Sequence, residues 1–224
     1  MPELRVVPDD HVASIEHFLG VLGAPPSAVI HVGAHEGQEV AAYLAAGARS
    51  VVLVEANPDH VATLRDRFAG TPEVRIVGCA AGAEPGTARL RLHTSRSGDT
   101  QSASLLELAE LGEVGTVRTE GGVEVAVRAL DDIAAGEPCD LLVVDVQGAE
   151  LLALRGATEL LARVGAVVCE IELRPLYAGA PTEDAIVALL GAAGLERADT
   201  LYYELTTAAG ERRLAWCDAL FVRR

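Results

Sequence analysis

Short runs of consecutive apolar residues alternate along this chain with segments whose apolar residues recur every three or four positions, so strands and helices are predicted in turn. Helical spacing covers residues 11–22 and stops at Gly23 and the Pro25-Pro26 pair. Strands are predicted at 29–32, 51–54, 74–77, 141–144 and 166–171, the first and last of them buried. Helices are predicted at 38–46, closed by Gly47, and at 58–68, with Asn57 as N-cap and Pro58 in the first position. Two more are predicted at 148–161 and 182–193. Residues 88–92 and 123–127 alternate with the two-residue period of strands around a polar stretch containing Ser and Gly. Residues 200–205 and 219–222 read as a terminal antiparallel hairpin. The alternation predicts an α/β fold, a mostly parallel sheet covered by helices on both faces. An N-terminal helical segment, 1–27, precedes one domain, 28–224, with an insertion at about 88–128.

Val29-Ile30-His31-Val32-Gly33-Ala34-His35-Glu36-Gly37 reads as a strand and a glycine-bearing turn that opens a helix, and a second strand then ends at Glu55. That layout is a nucleotide-binding half of a doubly wound sheet. Gly33 and Gly37 let the backbone turn tightly and let a ligand lie against it, near the partial positive charge of the helix start. Glu55 follows at roughly the 20-residue spacing where a carboxylate accepts both ribose hydroxyls. The Gly-x-x-x-Gly spacing departs from the Gly-x-Gly-x-x-Gly of dinucleotide enzymes, which favours S-adenosylmethionine, a cofactor without a pyrophosphate, over NAD.

Composition narrows the partners. With 224 residues, 50% of them apolar, the chain can bury a core. A formal charge of −15 and a pI near 4.7 exclude a nucleic-acid groove, which needs a basic footprint. No stretch is long and apolar enough to cross a bilayer, and Met1-Pro2-Glu3-Leu4-Arg5 lacks the order of a signal peptide, so a cytoplasmic protein with no membrane partner is expected. Cys79, Cys139, Cys169 and Cys217 lie far apart in or beside apolar runs, a pattern of reduced thiols near the core rather than of zinc or disulfides.

These motifs, together with Val54-Glu55-Ala56-Asn57-Pro58, Asp145-Val146-Gln147-Gly148-Ala149-Glu150, Glu170 with Pro175-Leu176-Tyr177-Ala178-Gly179, and the closing Asp218-Ala219-Leu220-Phe221-Val222-Arg223, resemble the FkbM family of S-adenosylmethionine-dependent methyltransferases over residues 28–223. The resemblance implies a class I methyltransferase, Rossmann-like fold with a seven-stranded sheet. It also implies O-methylation of a hydroxyl on a sugar, polyketide or other small molecule. Gly33, Ala34, His35 and Gly37 match the turn under the methionine part of the cofactor. Glu55 matches the ribose acceptor, with Ala56 beside it. Cys79, Ala80 and Ala81 fall where the loop passes the adenine. Ala81-Gly82 stands where an acidic or hydroxyl residue is often found, which leaves adenine recognition to backbone atoms. His31 stands where many class I enzymes have an acid. The polar segment from His93 to Ser104 matches a Ser-rich stretch of the family and is read as a lid bringing Ser102 or Ser104 to the site.

Methyl transfer from a sulfonium is an in-line displacement, and an alcohol needs help losing its proton as the bond forms. Asp145, Glu170 and His35 are predicted at the carboxyl edge of the sheet, where open α/β folds bind ligands. Asp145, which ends an apolar strand, is the first choice for the base or acceptor-orienting carboxylate; the competing reading makes it the cap of the helix near Gly148. Glu150 is read as the partner of a backbone donor or a loop arginine, and His31 as a strand-end residue satisfied by backbone. Alternation puts Glu170 and Glu172 on one face. A divalent metal joining Asp145 and Glu170 is not favoured, because solvated carboxylates at strand ends need no ion. The acceptor pocket is assigned to the N-terminal helix, residues 89–128 and residues 174–181, with Arg96 and Arg174 as candidate contacts. A nicotinamide-dependent oxidoreductase and a non-catalytic cofactor-fold module are the rival readings. Oligomeric state has no sequence signal.

Overall fold

The computed structural model describes residues 5–8, 10–95, 103–109, 117–206 and 210–224. In chain order its elements are α1 (His11–Val21), β1 (Ala28–Val32), α2 (Val40–Ala46), β2 (Ser50–Glu55), α3 (Pro58–Arg67), β3 (Val74–Gly78), β4 (Ala80–Ala81), β5 (Gly86–Ser95), β6 (Glu107–Leu108), β7 (Val117–Arg128), α4 (Leu130–Ile133), β8 (Leu141–Val144), α5 (Glu150–Arg155), α6 (Thr158–Arg163), β9 (Ala166–Glu172), β10 (Tyr177–Ala178), α7 (Glu183–Ala192), β11 (Leu195–Thr206) and β12 (Arg212–Arg223). Seven strands form the main sheet in the order β11-β12-β9-β8-β1-β2-β3. Neighbours from β9 to β3 pair in parallel, and β12 runs antiparallel to both β9 and β11. The fold class read from the sequence, including the C-terminal hairpin, is the one observed.

Strands β1, β8 and β9 are buried at every position, which explains their largely apolar runs. Their side chains still alternate between two cores. Ile30, Val32, Val52 and Val54 pack with Leu130, Leu154 and Ile186 on the face covered by α4 to α7. Val29, Val51 and Leu53 pack with Phe18, Tyr43 and Leu64 on the face covered by α1 to α3. A hydroxyl chain pins α1 there: Ser14 Oγ bonds Tyr203 Oη, which donates to Asp218 Oδ2 at 2.7 Å.

Two helices differ from their predicted extents. The one predicted over 38–46 starts at Val40, because the chain first completes a turn through Gly37. The one predicted over 148–161 is two helices, α5 and α6. At Gly156 the backbone passes so close to Gly82 that a Cβ would lie 2.1 Å from the Gly82 oxygen, and the Gly156 carbonyl accepts from Asp131 N at 2.8 Å. The Asp131 carboxylate then accepts Glu159 N at 3.0 Å and Leu160 N at 2.8 Å, capping α6 from outside. The alternating segments are longer than predicted, and β5 and β7 form an antiparallel ribbon with β4 added beside β7. β6 pairs with β10, joining the ribbon region to the loop after β9.

All four cysteines are buried and free, and burial pushes the Cys139 and Cys217 thiols up to about 12. No helix among the described residues is long and apolar enough to cross a membrane.

Candidate functional site

Parallel neighbours β1 and β8 end side by side, and the turn after β1 must pass the end of β8 at close range. A Cβ on Gly33 would sit 1.6 Å from the Asp145 carbonyl oxygen, and φ there is +86°, so glycine is required twice over. His35 (φ 47°) and Gly37 (φ +70°) are also left-handed. The turn's amides are largely used within the protein: Gly33 N and Ala34 N reach Val54 O, and His35 N donates to Glu55 Oε2 at 2.8 Å. Asn57 N donates to Glu55 Oε1 at 2.7 Å. The predicted helix start at the ligand is therefore replaced by a hydrogen-bonded turn. Glu55 is 8% exposed, and burial raises its carboxyl to about 7 against the opposing pull of those amides.

A cleft of about 810 Å³, open mouth included, runs from this turn across the sheet edge. Gly33, His35, Glu55, Ala56, Cys79, Ala80, Ala81, Ser104 and Asp145 all line it. Leu90, Ala103 and Leu105 add an apolar wall opposite Ala80. The rings of His35 and His60 meet edge to face with centroids 4.2 Å apart, and Gln38 Nε2 lies 3.0 Å from His35 Nδ1. Ser104 is buried, and its hydroxyl is committed: it donates to Gln147 O at 2.6 Å and accepts from Leu106 N at 2.9 Å. The predicted lid serine is thus a tether between the ribbon and the Gln147 turn. Ser102 and Arg96 lie outside the described residues.

At the other end of the cleft, Gln147 organises the acids. Its Nε2 donates to Asp145 Oδ1 at 2.8 Å and to Glu170 Oε2 at 3.2 Å, while its Oε1 accepts from Tyr177 Oη at 2.9 Å. Asp145 Oδ2 faces His11 Nδ1 across 3.7 Å. Asp145 does not cap α5, whose N-cap is Ala149 and has no side-chain bond. Glu150 takes two backbone donors instead, Val146 N and Gly148 N, each at 3.0 Å. Glu170 lies behind this layer, in a smaller cavity shared with His11, His31, Glu39, Asp145 and Asp218. Burial pushes Glu170 well above the usual carboxylate range, Glu150 to about 8 and Glu172 to about 7, and the Asp145 charge adds to the first two. Glu172 shares the buried strand with Glu170 and accepts Leu176 N at 3.0 Å. Oxygens of Asp145, Glu150 and Glu170 approach within 4.8 Å of one another, close enough to hold an ion; the Gln147 amide already donates to two of the three.

His31 faces the α1 to α3 side, and its Nδ1 pairs with Tyr43 Oη at 3.1 Å, so a side chain rather than backbone satisfies it. Burial lowers its pKa. Glu39 Oε2 is 4.0 Å from the same nitrogen. That oxygen is buried and has no hydrogen-bond partner among the described residues.

Sequence reasoning missed His11, Glu39, His60 and Gln147. His11 opens a helix with no motif around it, and His60 looks like any polar helix residue. Glu39 follows the glycine turn by two residues, and Gln147 lies inside a quoted motif. Those positions were the available signals.

The methyltransferase FkbM domain model matches residues 31–199. The 2-O-methyltransferase NoeI of Sinorhizobium fredii (strain NBRC 101917 / NGR234) is 28% identical over 183 residues, covering 77% of this chain and 74% of that protein. The crystal structure of methyltransferase FkbM from Methylobacillus flagellatus KT superposes with a TM-score of 0.52 at 16% identity, covering 89% of this chain but 45% of that one, so this chain spans less than half its length. Magnesium protoporphyrin IX methyltransferase (ChlM) from Synechocystis PCC 6803, solved with bound SAM, gives a TM-score of 0.54 at 14% identity, covering 95% of this chain and 78% of that one. At these identities the two structures share the fold.

Proposed function

On the premise that the chain belongs to the FkbM family of S-adenosylmethionine-dependent methyltransferases, we propose that it transfers a methyl group to a hydroxyl oxygen of a small molecule such as a sugar, a polyketide or another natural product. The carrying observation is Asp145, at the end of a buried strand, on the wall of the same cleft as Glu55 and facing His11 at 3.7 Å. The 2-O-methyltransferase relative supports oxygen as the acceptor atom.

The cleft suits the cofactor. Glu55 offers carboxylate lone pairs to a ribose, and Ala80, Ala81, Leu90, Ala103 and Leu105 form an apolar slot for a purine. When bound, S-adenosylmethionine supplies an electrophilic methyl carbon on a sulfonium. Asp145 then orients the acceptor hydroxyl and takes its proton, with His11 positioned to carry that proton onward. Gln147 fixes the other Asp145 oxygen, so the carboxylate presents one geometry to the acceptor. Burial disfavours the charged form of Glu170 behind this layer. His35, braced by Gln38 and His60, serves the cofactor wall rather than proton transfer.

The family assignment decides against the nicotinamide alternative. Calorimetry with S-adenosylhomocysteine and, separately, NADH should give micromolar binding of the first and none of the second. Transfer of labelled methyl to a panel of hydroxylated small molecules then identifies the acceptor class. With that acceptor, Asp145→Asn should lower turnover at least about 100-fold with cofactor affinity changed little. A wild-type rate removes Asp145 from the mechanism, and cofactor binding with no transfer to any acceptor favours a non-catalytic module.

A further inference from the structure

The cleft has an acidic corner that the mechanism leaves unused. Glu39 is 6% exposed, lies on the cleft wall with Gly33 and His31, and turns its carboxylate inward. Its Oε2 has no hydrogen-bond partner among the described residues. The nearest group able to carry positive charge is His31 Nδ1, 4.0 Å away, and that nitrogen is already paired with Tyr43 Oη in a buried setting that keeps the ring neutral. One residue earlier, Gln38 Oε1 is a second buried acceptor without a partner among the described residues. Buried acceptors of this kind weaken the folded state, a charged one more than a neutral one, unless a donor reaches them.

No arginine lines the cleft among its described residues, whereas Glu39, Glu55 and Asp145 all do. The missing donor must therefore arrive with the ligand and should be cationic. S-adenosylmethionine carries such a donor in the ammonium of its methionine moiety, and an ammonium has three N–H bonds for acceptors. We propose that Glu39 receives the cofactor's ammonium, so that a carboxylate from the start of α2 stands in for the strand-end acid whose position His31 occupies. The inference rests on the S-adenosylmethionine reading of the cleft and deepens it.

The test is calorimetry on the full chain with three ligands. S-adenosylhomocysteine has the amine and the carboxylate, decarboxylated S-adenosylhomocysteine keeps only the amine, and 5′-methylthioadenosine has neither. Glu39→Gln should weaken the first two by about 30-fold each and leave methylthioadenosine within about twofold of wild type. Unchanged affinity for S-adenosylhomocysteine overturns the proposal. An equal loss on methylthioadenosine also overturns it, since the damage would then be to the cleft as a whole. Glu55→Ala should weaken all three ligands and so separates the ribose contact from the ammonium contact. If the wild-type chain binds none of them, the cofactor reading itself fails and the proposal falls with it.

Discussion

Glu55 illustrates how one buried carboxyl ties cofactor binding to pH. Its ionised form is the better ribose acceptor, and burial has raised its ionisation to about 7. Raising the pH from 6 to 8 takes the group from mostly neutral to mostly ionised, so S-adenosylhomocysteine affinity should rise by up to about 10-fold over that interval. Calorimetry at the two pH values measures it, and a flat profile would mean that Glu55 does not meet the ligand as a carboxylate. Glu55 and Gly33 were legible in the sequence because each is set by its own strand end: an apolar run followed by an acid, and one followed by a glycine. Glu39 and His11 were not, since their meaning comes from neighbours on other elements. Glu39 matters through its closeness to His31, and His11 through facing Asp145 from a helix more than a hundred residues away in the chain.

At the scale of elements, mostly apolar runs announced the parallel strands of the main sheet, and the cap at Asn57 marked one helix start. The break between α5 and α6 was hidden because nothing local causes it. It arises where Gly156 abuts Gly82 and Asp131 supplies the cap, and apolar spacing continues across the gap as if the helix were whole. Gly156→Ala should therefore destabilise the fold by about 2–3 kcal/mol through overpacking, although alanine is the better helix former. Urea unfolding measures this, and a stabilised variant would show that the backbones can separate cheaply. The lid expected over residues 93–104 falls largely outside the described residues; within them Ser104 lines the cleft and its hydroxyl ties this segment to Gln147.

The whole molecule carries more buried acid than its sequence pattern suggested, because the strands that end at the cleft converge there. Burial raises Glu55, Glu150 and Glu172 to about 7, 8 and 7 and pushes Glu170 well up too, all above the ordinary 4.5. The folded state therefore retains protons that the unfolded chain has released, and stability falls as pH rises from about 4.5 through about 8. His31 and His93, lowered by burial, act oppositely, but only below their ordinary 6.5. The melting temperature should thus be higher at pH 6.5 than at pH 8.5, and self-repulsion of a chain with net charge −15 works in the same direction. Scanning calorimetry decides it; a melting temperature that climbs with pH would show these carboxylates ionised and compensated. The four buried thiols have a different consequence. All four sit in the core between sheet and helices, and of the four Cys79 also lines the cleft. Thiol-reactive probes thus read two clocks in one unmodified chain: the three sulfurs away from the cleft time the parting of sheet and helices, and Cys79 is the one that a bound ligand would also shield.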